Sequence, residues 1–324
     1  MSQPIIEVEH LSKVYGSTTA IEDVHFSVAA GEIIGFLGPN GAGKTTTMRI
    51  LAGYLPATTG TAKIAGYDVH RHSMQVRRRI GYLPETPPLY PEMTVKGFLS
   101  FVAKIKGISA GNRHRQVANA MMRCQLVDHE NVTIRKLSQG YRQRVGIAQA
   151  IVHEPPVIIL DEPTVGLDPR QIIEVRNLIK SLAGEHTIIL STHILPEASM
   201  ICDRVTIINH GKVVTTNTPR DLQAQLESSS GYEVEIAGDV DQVHLLLQSV
   251  SGVIQVTELE HSLPKYPDHH LLKIACAPDT EPGKDIAATI IQQGLELHEM
   301  RRTRPSLEDV FLELTTEEPL AISN

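Results

Sequence analysis

Gly38-Pro39-Asn40-Gly41-Ala42-Gly43-Lys44-Thr45-Thr46 stands between an apolar run, Ile33 to Leu37, and a helical pattern with Met48, Leu51, Ala52 and Leu55 on one face. Strand, glycine turn and helix N-terminus in that order are the context of a phosphate-binding loop. The glycines let backbone N–H groups turn inward around a phosphate, and the helix dipole adds positive potential at the same point. Lys44 brings a full positive charge to the outer phosphates. The Thr45 hydroxyl suits Mg²⁺, which keeps several waters and bridges phosphate oxygens. An α/β fold with a parallel sheet follows from this stretch.

Upstream, Ile6-Glu7-Val8-Glu9 alternates, and so do Val24, Phe26 and Val28. Two half-buried strands ahead of a buried one predict a small antiparallel layer beside the parallel sheet. Between them, Tyr15 beside Gly16 either stacks on a purine ring or packs in the fold. Downstream, Gly60 to Val69 reads as a short hairpin and Ile80 to Leu83 as a strand. That strand ends at Pro84-Glu85-Thr86-Pro87-Pro88-Leu89-Tyr90-Pro91, where proline density forbids regular structure and stiffens the loop. From Thr94 to His153 the pattern is helical throughout. Val95, Phe98, Leu99, Val102 and Ile105 share one face, and Val117, Ala120, Met121 and Cys124 form another. This predicts an all-helical insertion. At its end, Leu137-Ser138-Gln139-Gly140-Tyr141-Arg142-Gln143-Arg144 places Ser138 to cap the next helix. A capped N-terminus beside Gly140 is a second anion site.

Val157 to Leu160 reads as a buried strand ending in Asp161-Glu162-Pro163. Two acids at the carboxyl end of a central strand face the crevice where ligands bind in open α/β sheets. Asp161 can hold Mg²⁺ through its waters, and Glu162 can accept a proton from an attacking water. Gly166-Leu167-Asp168-Pro169 is a turn, followed by a helix from about Gln171 to Ala183. Thr187 to Leu190 is another buried strand, leading to Ser191-Thr192-His193, where His193 can reach a terminal phosphate as a donor. Val205 to Asn209 and Lys212 to Thr216 read as a hairpin that closes the first domain.

A length of 324 residues suggests about two domains. The boundaries expected are 1–220, with the helical subdomain at about 86–153, a linker at 221–230 where a helix from Leu222 fades into serines, and an accessory domain at 231–324. The last domain shows strands at Tyr232–Ile236, Val253–Thr257, Leu271–Cys276 and Leu295–Met300. Helices at Val240–Val250 and Ile286–Gln293 give a β-α-β-β-α-β order, the ferredoxin-like arrangement. His261 to His270 reads as a polar loop, and Pro305 to Asp309 cap a final helix. No catalytic constellation lies there. Three scattered Cys point to a reducing compartment rather than a disulfide framework. A net charge of −7 argues against a nucleic-acid coat, and 4% aromatics leave little for stacked single strands. No apolar run reaches about eighteen residues, the length a spanning helix needs.

The phosphate loop, Leu137-Ser138-Gln139-Gly140, Leu160-Asp161-Glu162-Pro163, Gly166-Leu167-Asp168 and Ser191-Thr192-His193 follow one another in an order and spacing that resembles the nucleotide-binding subunit of ATP-binding cassette (ABC) transporters. The resemblance covers about residues 5 to 220. The tail Ser306-Leu307-Glu308-Asp309-Val310-Phe311 is similar to the end of ABC-2-type exporter subunits. The resemblance implies Tyr15 as the adenine-stacking residue. It implies Gly38, Pro39, Asn40, Gly41, Ala42, Gly43, Lys44, Thr45 and Thr46 around the phosphates of ATP. Thr45, Glu85 and Asp161 would stand at Mg²⁺, with Glu162 as catalytic base and His193 as γ-phosphate sensor. Ser138 and Gly140 would meet the nucleotide of a second subunit, and Asp168 would link the two sites. The expected assembly is a head-to-tail dimer, or paired cassette, on the cytoplasmic face of the membrane, bound to an integral-membrane permease and to no nucleic acid. Two positions depart from the family: Glu85 replaces the usual Gln, and Gln139 and Tyr141 replace Gly and Gln. The rival reading is a soluble ABC ATPase of translation or DNA repair; a third is a small-molecule kinase, which has no use for the Ser138 helix.

Overall fold

Alternating apolar residues build the first layer: β1 (Ile6–Tyr15) and β2 (Thr18–Val28) form a hairpin that buries Ile6, Val8, Leu11, Ile21, Val24 and Val28. β3 (Ile33–Leu37) is buried at every residue, as a strand covered on both faces must be. α1 (Lys44–Leu51), β4 (Thr59–Ile64), β5 (Tyr67–Asp68), α2 (Ser73–Arg79) and β6 (Ile80–Leu83) follow. The insertion supplies α3 (Val95–Ile105), α4 (Ala110–Arg123) and α5 (Gln139–Ile151), and among its described residues there is no strand. β7 (Val157–Asp161), α6 (Pro169–Ser181), β8 (Thr187–Thr192), α7 (Leu195–Ile201), β9 (Arg204–Asn209) and β10 (Lys212–Asn217) complete this unit. The structure is a computed structural model and describes residues 4–222, 231–238, 240–259, 269–277 and 280–303. The chain divides into two compact units, Met1–Pro219 and Arg220–Asn324.

The antiparallel sheet has the order β2-β1-β4-β5, and the larger sheet the order β10-β9-β3-β8-β7-β6. Only β10 runs antiparallel in the latter. One apolar core lies between the two sheets and α1, with the Phe26 and Phe36 rings 5.2 Å apart inside it. Truncating a fully buried Phe such as Phe36 costs about 3–5 kcal/mol. The register sets Leu37 beside Thr192 and Asp161 beside Ser191. The carboxyl ends of β3, β7 and β8 therefore meet at one edge, where open α/β sheets bind ligands.

The second unit contains β11 (Gly231–Ala237), α8 (Val240–Gln248), β12 (Val253–Leu259), β13 (His269–Cys276), α9 (Gly283–Gln292) and β14 (Glu296–Thr303). Its antiparallel sheet has the order β12-β13-β11-β14, the ferredoxin-like topology expected. Val234, Ile236, Leu272 and Ile274 share a core with Val243, Leu247, Ile286 and Ile290 of the helices.

Some elements differ from the sequence reading. α1 ends at Leu51, before Leu55, because Gly53 takes φ 69° and the chain turns out of the helix. α6 starts at Pro169, since Asp168 caps it and proline suits the first helical position. β13 starts at His269, inside the stretch read as a polar loop. α2 buries only Val76, and α7, which buries Leu195, Ala198 and Ile201, is seven residues long, too short for its periodicity to stand out. The predicted linker helix beyond Leu222 and the final helix from Pro305 lie outside the described residues.

Candidate active site

The phosphate loop is shaped by contacts that only glycine allows. A Cβ at Gly38 would overlap the Ile208 carbonyl oxygen. At Gly43, φ is 103° and a Cβ would stand 2.5 Å from Ile21 Cγ2. Gly41, at φ 82°, faces open space. Residues alternating in this way turn successive N–H groups to one side, an anion-binding nest. Gly43 offers α1 no side-chain cap, and no acidic residue stands in its first turn, so the helix N-terminus keeps its donors and its positive potential. Lys44 Nζ donates to Gly38 O at 2.7 Å and Pro39 O at 3.1 Å, which holds the buried ammonium across the mouth of the loop.

Asp161 is buried directly opposite. Its Oδ1 accepts from Ser191 Oγ at 2.6 Å and from Thr45 Oγ1 at 3.2 Å. Its Oδ2 is buried with no protein partner. Burial holds the carboxyl above the usual carboxylate range, the Ser191 and Thr45 hydrogen bonds oppose this, and the Glu162 and Glu85 carboxylates reinforce it. An orphaned carboxylate oxygen beside a threonine hydroxyl fits Mg²⁺, which takes one or two protein ligands and completes its shell with water and phosphate. Among the described residues no three His, Cys, Asp or Glu converge as a protein-only metal cage.

The raised pKa has a stability consequence. The contribution of such a group is present below its unfolded pKa and is lost as pH rises through its folded value. Ionisation of Asp161 as pH rises therefore weakens the nucleotide-free fold. Asp161→Asn is expected to raise the melting temperature at pH 7, with the gain shrinking as pH falls. Its Mg²⁺-dependent ATP turnover should fall by about 10²-fold or more. A variant with unchanged turnover across a Mg²⁺ titration would remove Asp161 from the site.

Glu162 sits in the left-handed region, at φ 49°. A non-glycine residue held there is uncommon and such conformations cluster at functional sites. Its N–H donates to Ser191 Oγ at 3.0 Å, which locks the turn. Its carboxylate, 9% exposed, lies 3.4 Å from Lys44 Nζ through Oε1 and accepts from His193 Nδ1 at 3.0 Å through Oε2. Lys44, Glu162 and His193 thus form one chain of contacts, with Thr45 and Asp161 alongside.

Two organising residues escaped the sequence reading. Ser191 bridges Asp161 and Glu162, and its only sequence signal is its place in Ser191-Thr192-His193. Glu197, buried on α7, accepts from Thr164 Oγ1 at 2.6 Å. It ties the loop after Glu162 to the helix after His193, and no local pattern marks it.

The remaining predicted residues share no hydrogen bond or ion pair with that group among the described residues. Ser138 caps α5, accepting from Tyr141 N at 3.4 Å, and Gly140 is buried against Gln171. Among the described residues no hydrogen bond or ion pair joins either one to the phosphate loop. Asp168 caps α6, its Oδ1 accepting from Gln171 N at 2.9 Å. Glu85 is exposed just past β6 and acts on Asp161 through charge, with no hydrogen bond or ion pair among the described residues. Tyr15 is 48% exposed at the end of β1, with Lys13 Nζ 5.1 Å from its ring centroid.

The profile of the ABC transporter family matches residues 21–165. Bacitracin transport ATP-binding protein BcrA of Bacillus licheniformis is 42% identical over 322 residues, spanning 96% of this chain and 97% of its own. Daunorubicin resistance ATP-binding protein DrrA3 of Streptomyces coeruleorubidus is 32% identical, spanning 97% of both chains. The dimeric structure of MJ0796, a bacterial ABC transporter cassette, superposes with a TM-score of 0.60 at 25% identity, over 66% of this chain and 98% of that one.

Proposed function

The chain belongs to the family of ABC transporter ATP-binding proteins, and from that premise we propose that it is the ATP-hydrolysing subunit driving a membrane permease of the ABC-2 exporter type. The observation that carries the reading is the division of the predicted site. Lys44, Glu162 and His193 converge at the phosphate loop, whereas Ser138 and Gly140 stand on a separate helix N-terminus. Two anion-binding ends that do not meet in one chain are completed by a second copy, head to tail, with ATP between them. Ser138 and Gly140 of one chain then contact the nucleotide held by Lys44 of the other.

Within that site the residues take distinct tasks. The N–H groups from Gly38 to Thr46 and the Lys44 ammonium bind and neutralise the phosphates. Thr45 and Asp161, with Glu85 nearby, would hold Mg²⁺, which supplies charge neutralisation of the phosphate oxygens. Glu162 accepts the proton of the attacking water, and His193 orients that carboxylate at the edge of the sheet where the γ-phosphate is expected. Tyr15 offers an exposed ring for the adenine.

The permease contact lies on the Pro-rich loop. Pro87 packs toward α5 near Gly146. Tyr90, 53% exposed, places its ring 5.5 Å from Phe101 and 6.0 Å from Phe98 of α3. An aromatic patch on a proline-stiffened loop suits the apolar side of a short helix from the cytoplasmic face of the permease. The relative named for daunorubicin resistance supports export as the direction.

The test is purification of the tagged native protein in mild detergent, with partners identified by mass spectrometry. A stoichiometric multi-span membrane protein is expected. The Tyr90→Ala/Phe101→Ala double variant should lower its recovery about tenfold, the scale of losing a hot-spot aromatic pair, and leave ATP binding intact. Recovery of ribosomes, DNA or soluble partners alone would favour the soluble ABC ATPase and overturn the transport assignment.

A further inference from the structure

The N-termini of α5 and α6 face each other through two glycines. Gly140 is buried, and a Cβ there would stand 2.8 Å from Gln171 Cδ and 2.9 Å from Gln171 Oε1. Gly166 takes φ 72°, and a Cβ there would stand 2.5 Å from Gln139 Nε2. Each segment therefore places a glutamine in the space left by the other segment's glycine. Gln139 Nε2 also donates to Val165 O at 3.4 Å. Farther along α5, buried Arg144 donates to Glu174 of α6 at 2.6 Å and to Gln125 at 2.6 Å. The two helices are thereby held as a pair behind their facing ends.

We infer that Gln139 and Gln171 are positioning residues that couple the Ser138 end of α5 to the loop carrying Glu162. The route is short. Val165 N donates to Glu162 O at 3.2 Å, and Leu167 N donates to Thr164 O at 3.2 Å. The loop held by Gln139 is thus folded back directly onto the Glu162 backbone. The Thr164–Glu197 hydrogen bond anchors its other side. This rests on the two-chain site proposed above. There, Ser138 senses the nucleotide of the partner subunit, while Glu162 acts on the chain's own nucleotide. The clasp between them makes occupancy of one site alter the geometry of the other. Such coupling is a free energy between two sites and reads out as cooperativity.

The experiment uses the full chain, with Glu162→Gln as the check on assembly. ATP should convert that variant to a dimer in size-exclusion chromatography. If it stays monomeric, the head-to-tail reading fails first and the clasp with it. With the dimer present, ATP turnover is measured across an ATP titration for wild type, Gln139→Ala, Gln171→Ala and the double variant. The Hill coefficient should fall from about 2 toward about 1, with saturating turnover about five- to tenfold lower. Binding of a fluorescent ATP analogue to the monomer should stay within about twofold, and the double variant should match the single ones, because the two side chains act as one unit. A purely structural role would instead lower monomer binding and melting temperature together. Where an alanine variant folds poorly, Gln139→Glu keeps the side-chain volume, removes the donor to Val165 O, and should show the same loss of cooperativity. A wild type with a Hill coefficient near 1, or variants that keep the wild-type coefficient and turnover, would overturn the proposal.

Discussion

Replacing Glu162 by Gln is expected to lower ATP turnover by about 10²- to 10⁴-fold, the range that a positioned general base contributes. ATP affinity should be retained or increased. The substitution is nearly isosteric, so the turn at φ 49° and its N–H bond to Ser191 persist. The Gln side chain can still face Lys44 and His193. It cannot take a proton from water, and it no longer sets a negative charge against the γ-phosphate. ATP binding without hydrolysis should therefore accumulate a closed dimer, seen as a doubling of mass in size-exclusion chromatography with light scattering. If Glu162→Gln hydrolyses ATP at the wild-type rate, the base lies elsewhere. His193 is then the next group in reach, because its Nδ1 already lies 3.0 Å from the same carboxylate.

The Lys44→Ala variant tests binding instead of chemistry. Lys44 is the buried cation that closes the phosphate loop, bonded to Gly38 O and Pro39 O and paired with Glu162. Removing it deletes the charge-assisted contact to the outer phosphates, worth about 2–5 kcal/mol when desolvated. At about 1.4 kcal/mol per tenfold, the midpoint of that range corresponds to about 300-fold in ATP affinity. It also leaves the Glu162 carboxylate buried with His193 as its remaining polar partner, so the nucleotide-free fold should lose stability as well. Calorimetric titration with MgATP measures the first effect and thermal melting the second. Lys44→Arg keeps the charge, but its larger planar head cannot occupy the same cradle of two carbonyls, and recovery of affinity should be partial at most. Wild-type affinity in Lys44→Ala would show that the glycine nest and helix dipole alone bind the phosphates.

These two variants separate steps that share one set of contacts, and that explains how the site can be read from the chain. Each catalytic candidate stands at the end of a strand whose apolar run is written locally: Ile33 to Leu37 before the phosphate loop, Val157 to Leu160 before Asp161, Thr187 to Leu190 before His193. A buried parallel strand declares itself by an unbroken apolar run, and the residue after it is placed at the sheet's carboxyl edge. The ferredoxin-like order of the second unit was legible for a related reason, since β11 and β13 alternate and its two helices bring Val243, Leu247, Ile286 and Ile290 to one core. Short elements were not. α7 spans seven residues with a proline in its first turn, too few for periodicity to show.

What the sequence by itself determined was the order of the long elements, the residue types at the carboxyl edge of the sheet, and the helix cap at Ser138. All of these depend on neighbours within a few residues. Only the tertiary structure decided which side chains meet. Ser191 bridges Asp161 and Glu162 across 30 and 29 residues of sequence, and Glu197 holds Thr164 across 33. Gln139 and Gln171 each fill a space opened by a glycine of the other segment. Such contacts carry no local periodicity, because they arise from the register of β7 against β8 and from the packing of one helix end on another. The same physical reason leaves Ser138 without a hydrogen bond to Lys44 within one chain: the insertion carries it at the capped end of a helix of its own, not at the edge of the sheet.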